Sequence, residues 1–304
     1  MKRKRVSSRK RLGKTYRTLA IVFGGWMLLM AGIVIYFYQK NPSEAASGNT
    51  GESKRQMAQS LKDQTMLHAA MPKAQETLMN FLKNPTPEGK AQFVDQPSAL
   101  VGRMIRFYQA NPVRLLEVPE LRYEQSGILR LGGQELIETR WLTHDQKRVE
   151  AVFRKVESEV RLDWLDFVCY SDSPLSLFFS EEGEAEGEFR LLARQRQIAQ
   201  EDGSRLSVVF YEPDPANPQA VPTRSSPAVS VDRRSSAGQL LEAAFRREET
   251  GQRVGGSSLP KLEPEGFIRV RVKLGRTGTG EERKFTIREV LAIHWLNVSH
   301  TGME

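Results

Sequence analysis

Residues 132–164, GGQELIETRWLTHDQKRVEAVFRKVESEVRLDW, carry the pattern that decides the fold of the first half of this chain. Ile137, Thr139 and Trp141 alternate with Glu138 and Arg140. Val149, Ala151 and Phe153 alternate with Glu150 and Arg154, and Val160, Leu162 and Trp164 with Arg161 and Asp163. A period of two is that of strands with one buried and one solvated face. Gly132-Gly133 is a two-residue hairpin signal, and His144-Asp145-Gln146 is a second short turn. A four-strand meander beginning near Leu121 is the reading.

Upstream, the period is helical. Ala74, Leu78, Phe81 and Leu82 fall at i, i+4, i+7 and i+8, one buried stripe. Pro72 marks the first turn of that helix or kinks a longer one beginning near Gln59. Thr86-Pro87-Glu88 places a capping hydroxyl, a proline at the first helical position and an early acid, opening a short second helix to about Val94. Pro97-Ser98 opens a third, with Leu100, Met104, Phe107 and Tyr108 on one face, and Asn111-Pro112 ends it. Three helices and a curved antiparallel sheet make an α+β domain over residues 57–172.

This order is similar to the cone-shaped fold of nuclear-transport-factor-2-like domains. Two passages resemble a set of uncharacterised, membrane-anchored bacterial proteins: FLKNPTPE at 81–88 running on to MIRFY at 104–108, and VRLDWLDFVCYS at 160–171. The resemblance runs from roughly Ala74 to Ser171, about a third of the chain. It implies the cone fold, followed by a second small α/β unit. Domains of this shape include isomerases and dehydratases with an Asp, Tyr or His inside the cone, and also binding and assembly modules. None of the enzymes' motifs maps onto positions here, so no catalytic residue follows from the likeness.

Downstream, an acidic stretch from Glu181 to Glu186 leads into a second small α+β domain, residues 173–304. Its expected strands are Glu188 to Ile198, Leu206 to Tyr211, Val229 to Asp232, Phe267 to Leu274 and Phe285 to Val298. In the fourth, Ile268, Val270, Val272 and Leu274 alternate with Arg269, Arg271 and Lys273, one buried face and one wet face. Ser235 and Ser236 can cap a helix with the stripe Leu240, Leu241, Ala244 and Phe245, stopped by Gly251. The segments Asp214 to Pro227 and Gly251 to Glu265, rich in Pro, Gly and Ser, read as mobile loops.

The charge is unevenly placed. The chain of 304 residues has 45 Lys and Arg against 37 Asp and Glu, a formal charge of +8. Nine of the basic residues are Lys2, Arg3, Lys4, Arg5, Arg9, Lys10, Arg11, Lys14 and Arg17, in a segment without an acid. The remaining 36 basic and 37 acidic residues leave the rest of the chain neutral, which argues against a nucleic-acid partner. After this basic tail (1–17), residues 18–39, TLAIVFGGWMLLMAGIVIYFYQ, run uncharged for 22 residues, matching a hydrocarbon core of about 30 Å. That length reads as a transmembrane helix with the lipid bilayer as its partner. The basic residues before it set the topology: N-terminus cytoplasmic, the bulk outside, at the cell inner membrane. A cleaved signal peptide ending near Ala45-Ala46-Ser47 is the competing reading, disfavoured by the length of the apolar run. Residues 40–56, rich in Ser, Gly, Asn and charge, read as a flexible stem.

Candidate chemistry is sparse. His68, His144, His294 and His300 have no ligand spacing, the single cysteine Cys169 sits in an apolar run, and neither a metal nor a cofactor is implied. Gly275 to Gly280 lacks the helix of a phosphate loop and reads as a hairpin tip. Asp163-Trp164-x-Asp166 is the most informative motif. On a strand, Asp166 would share the side of Trp164 and lie near Tyr108 and Trp141. It would be either an acid with a raised pKa in an aromatic pocket or a strand-end carboxylate bound to backbone amides. The expectation is a single-pass, membrane-anchored, non-catalytic binding or scaffolding protein whose partner is another envelope protein or a second copy. The alternative is a small-ligand carrier or enzyme that uses the interior of the cone. A hollow cone would favour the second, and a cone filled by Trp141, Phe153 and Trp164 the first.

Overall fold

A computed structural model describes residues 50–111, 121–196, 203–214 and 217–303. The chain divides into two units, Met1–Lys62 and Asp63–Glu304. Of the first, residues 50–62 are described, and they form the start of helix α1, Thr50–Lys83. The expected stem therefore becomes helical from Thr50 onward, and Pro72 lies inside the helix. The expected transmembrane helix is not part of the observed α+β architecture. No helix among the described residues is long and apolar enough to cross a membrane, and residues 1–49, including the 18–39 run and the nine basic residues, lie outside them.

The second unit begins with the buried stripe of α1, followed by α2, Pro87–Ala91, and α3, Pro97–Ala110. The Thr86 hydroxyl accepts a hydrogen bond from Gly89 N at 3.1 Å, the cap expected of Thr-Pro-Glu. Strands β1 (Arg122–Leu131), β2 (Gln134–Leu142), β3 (Arg148–Val156) and β4 (Glu159–Leu162) form an antiparallel meander in that order. Gly132 and Gly133, with φ of 56° and 75°, make the β1–β2 turn, where side chains other than glycine are disfavoured. One face of the sheet packs Ile128, Ile137, Trp141, Ala151 and Phe153 against Leu78, Phe81 and Met104 of the helices.

Short helices α4, Trp164–Phe167, and α5, Leu175–Ser180, then lead to a five-stranded antiparallel sheet of order β7-β6-β5-β8-β9. Its strands are β5 (Ala185–Arg196), β6 (Arg205–Tyr211), β7 (Val229–Asp232), β8 (Phe267–Thr277) and β9 (Lys284–Ala292). Edge strands β7 and β9 approach each other, so the sheet curls almost closed. Helix α6, Ser236–Glu249, packs Leu241, Ala244 and Phe245 into its interior beside Ile268, Val270 and Val272. Ser235 caps α6 by accepting from Gly238 N at 3.0 Å.

Part of the polar face of each sheet turns out to be buried. Glu138 and Arg140 of β2 are almost without exposure, as are Arg190 of β5 and Arg271 of β8. These are the faces that alternation marked as wet. They face inward because the rest of the unit covers them: residues 293–303 lie across both halves, and so does the 251–265 loop. Leu296 and Val298 join Leu129, Leu131, Leu136 and Val152 of the first sheet in one apolar cluster. Arg190 Nε donates to Trp295 O at 2.6 Å. Arg271 donates to Leu296 O at 2.6 Å and Val298 O at 2.9 Å. These bonds offset part of the cost of burying the two guanidiniums, although Arg190 Nη2 and Arg271 Nε are buried without a partner.

Candidate functional site

The interior of the first domain is filled. Trp141, Phe153 and Trp164 have no solvent exposure. Trp141 Nε1 donates to Thr139 Oγ1 at 2.8 Å, and its ring meets Tyr123 edge-on at 5.7 Å. Trp164 Nε1 donates to Tyr108 Oη at 3.3 Å, inside a group of rings with Phe107 and Tyr170. Burial raises the Tyr108 phenol pKa, against which the Trp164 hydrogen bond works. Of the four residues expected to line a pocket, Tyr108, Trp141 and Trp164 thus sit in the hydrophobic core.

Asp166 is elsewhere, and its local structure differs from expectation. Trp164–Phe167 is a helical turn, not the end of a strand, because Asp163 caps it: Asp163 Oδ1 accepts from Asp166 N at 3.2 Å. Helical geometry turns Asp166 away from the aromatic core and toward the second sheet. It lines two cavities of about 390 and 350 Å³ that share the wall Glu150, Asp166, Glu263, Arg269 and Trp295. These residues come from β3, α4, the 251–265 loop, β8 and the C-terminal segment, so no local stretch of sequence contains the site.

Arg269 organises the wall. It pairs with both Glu150 and Glu263, and its guanidinium lies 4.6 Å from the centre of the Trp295 ring. Arg140 donates to Glu150 Oε1 and to Pro260 O, each at 2.6 Å. Burial works to raise the Glu150 pKa, but the Arg269 and Arg140 charges win and hold it low. Burial likewise opposes the charge on Arg269, but Glu263 and Glu150 hold its pKa well above the ordinary value. The basic face expected along β8 is therefore neutralised from within, and only its end is open: Lys273 pairs with Glu289 at 2.9 Å on the surface.

The 251–265 loop is tied down rather than free. Ser258 donates to Glu138 Oε2 from N at 2.8 Å and from Oγ at 2.7 Å, and Lys261 pairs with Glu248 at 2.5 Å. Gly127 permits this approach, since a Cβ there would stand 1.8 Å from Ser258 Oγ.

Asp166 is 8% exposed, and no hydrogen bond from a described residue reaches its carboxylate. Burial raises its pKa to about 7, helped by the neighbouring Asp163 charge. Burial raises Asp163 too, although Asn297 N and Asp166 N donate to its two oxygens. Asp166, with no donor, is the one of the pair that takes the proton first. Cys169, at φ 50°, lines the second cavity, and burial together with Asp166 pushes its thiol pKa well up, the opposite of an activated nucleophile.

No protein-family model, no curated protein and no solved structure matches this chain. The site must be read from its own chemistry.

Two further residues belong to the site. His294, which the sequence showed without ligand spacing, borders the first cavity, with Nε2 against His300 O at 2.8 Å. A carbonyl only accepts, so Nε2 carries the proton, and burial lowers the imidazole pKa to about 4. Nδ1 is buried without a partner. Trp295 is the second, and no motif marks it because its role depends on Arg269, remote in sequence. Among the described residues, no three His, Cys, Asp or Glu side chains are grouped to hold a metal ion.

Proposed function

We propose that this chain is a non-catalytic binding protein whose small-molecule ligand occupies the cleft between its two sheets, not the interior of the cone. The observation that carries this reading is the filling of the cone by Trp141, Phe153 and Trp164, with two adjoining cavities around Glu150, Asp166, Arg269 and Trp295 instead. A separate hollow of about 450 Å³ beside Thr77, Gln92 and Ser158 is lined mostly by exposed residues. Among the described residues around the cleft, neither Cys169, whose thiol is held protonated, nor His294, held neutral, is an activated nucleophile, which fits binding better than nucleophilic turnover. The nuclear-transport-factor-2-like likeness belongs to the same reading. It is supported by the order helix, short helix, helix and four-strand meander, in a role as scaffold rather than pocket.

The test is native mass spectrometry of the full chain, purified from its own cells, before and after denaturation. A small molecule carried at one per chain, released unchanged, and lost on Ser257→Trp at the cavity wall supports the reading. A chain that carries nothing, and retains nothing from a metabolite extract, overturns it.

A second reading, self-association, has one observation in its favour. Met57 and Leu61, one helical turn apart on α1, are 69% and 58% exposed. Sedimentation of Met57→Glu/Leu61→Glu against the parent checks it, and an unchanged sedimentation coefficient sets it aside.

A further inference from the structure

The charges on the shared wall do not cancel. Arg269 and Arg140 are matched by direct ion pairs to Glu150 and Glu263, which leaves Asp166 over. Asp166 is faced by the carboxylates of Asp163 and Glu150 on one hand and by the guanidiniums of Arg269 and Arg190 on the other. Neither guanidinium donates to it. Arg269 is engaged by Glu150 and Glu263, and Arg190 by Trp295 O, Tyr170 O and Glu188, while the remaining Arg190 nitrogen, Nη2, is buried without a partner and makes no hydrogen bond to Asp166. A carboxylate more than nine-tenths buried, bordering open volume and given no donor by its own chain, is completed by a donor from outside.

The surroundings select the kind of donor. Beside Asp166 the second cavity presents Phe167, Leu192 and Trp295, and also Glu212. Apolar surface next to acids suits a cation with a hydrocarbon body. An anion would meet the acids Glu150, Asp166, Glu212, Asp214 and Glu263 against two guanidiniums, Arg269, already doubly paired, and Arg224, exposed to solvent. A bare metal ion would find no converging set of donors among the described residues.

We propose that the cleft receives a small organic cation, an ammonium or guanidinium on an apolar body, whose N–H donates to the carboxylate of Asp166. This rests on the cleft reading above and names its ligand class.

The experiment titrates the full chain at pH 8 with benzylammonium, benzyl alcohol and benzoate, following tryptophan fluorescence and the melting temperature. Benzylammonium is expected to bind saturably and raise the melting temperature, and benzoate to do neither. Asp166→Asn, shown folded by circular dichroism, is expected to weaken benzylammonium at least tenfold, while Asp166→Glu, which keeps the charge, retains part of the affinity. Equal binding of benzyl alcohol or benzoate, or unchanged affinity in Asp166→Asn, overturns the cation assignment and leaves the cleft reading standing. Failure of all three probes to bind overturns the cation assignment, and the cleft reading falls with it only if the chain also retains nothing from a metabolite extract.

Discussion

Asn297 N donates to Asp163 Oδ2 at 3.1 Å while the other oxygen of that carboxylate caps α4 by accepting from Asp166 N at 3.2 Å. One side chain therefore fixes the turn that presents Asp166 and also holds the C-terminal segment that presents Trp295. Removing it loosens two walls of the cleft together.

Asp163→Ala strips a cap and leaves two N–H groups without their acceptor. A cap contributes about 1 kcal/mol, and an orphaned buried donor costs about 1–3 kcal/mol. The expected loss is about 2–4 kcal/mol by urea unfolding. Asp163→Asn, which keeps one acceptor oxygen, should recover part of it. A loss below about 0.5 kcal/mol would mean that the segment is held by Leu296 and Val298 alone.

Asp166 should make stability fall with rising pH. Its folded pKa of about 7 lies above the unfolded carboxyl value of 3.8, so the folded state binds more protons between these values. The penalty is absent below about pH 4 and complete above pH 7. Asp166→Asn should therefore gain on the parent as pH rises from 4 to 7, measured as the difference between two urea midpoints at each pH. A difference that stays flat across that window contradicts the assignment of Asp166 as a carboxyl pushed upward by burial.

Arg271 holds the carbonyls of Leu296 and Val298. Arg271→Ala would leave these acceptors buried and unpaired, with an expected cost of about 1–3 kcal/mol for each carbonyl. Hydrogen exchange should accelerate first in residues 293–303. Uniform acceleration across β8 and β9 as well would show that Arg271 supports the sheet rather than the strap.

Trp164→Ala should open the filled core, where no solvent reaches the ring and Tyr108 depends on it. Large-to-small changes of this kind cost about 3–5 kcal/mol. Ligand retention by the cleft should survive in the less disruptive Trp164→Phe. Loss of retention in a Trp164→Phe protein of parental stability would return the binding site to the cone.

Local signals were legible because their causes are local. Thr86 and Ser235 sit where the caps form, since a side-chain oxygen three residues ahead of an amide needs nothing else. Gly132-Gly133 makes the hairpin, since only those residues adopt both left-handed conformations cheaply. The strands from Leu121 to Leu162, and the helix from Ser236, follow from periodicity for the same reason. Asp166 was misplaced because alternation was carried one residue too far. Asp163 caps a helical turn, and a 3.6-residue period points Asp166 to the opposite side from a two-residue one.

By itself the sequence determined most of the elements, their order and one face of each sheet, because backbone preference and apolar periodicity are written over a few neighbouring residues. It missed the short helices Trp164–Phe167 and Leu175–Ser180 and carried the last strand past Ala292. It could not determine where the polar faces go. Glu150, Arg269 and Trp295 are separated by more than a hundred residues or by a change of element, and a row of charges has the same spacing whether water or another sheet lies against it. Only the tertiary structure decided that the charged face of β8 turns inward and that Arg190 and Arg271 hold the C-terminal segment. It alone left one carboxylate, Asp166, without a donor, because desolvation and pairing depend on what lies across the gap.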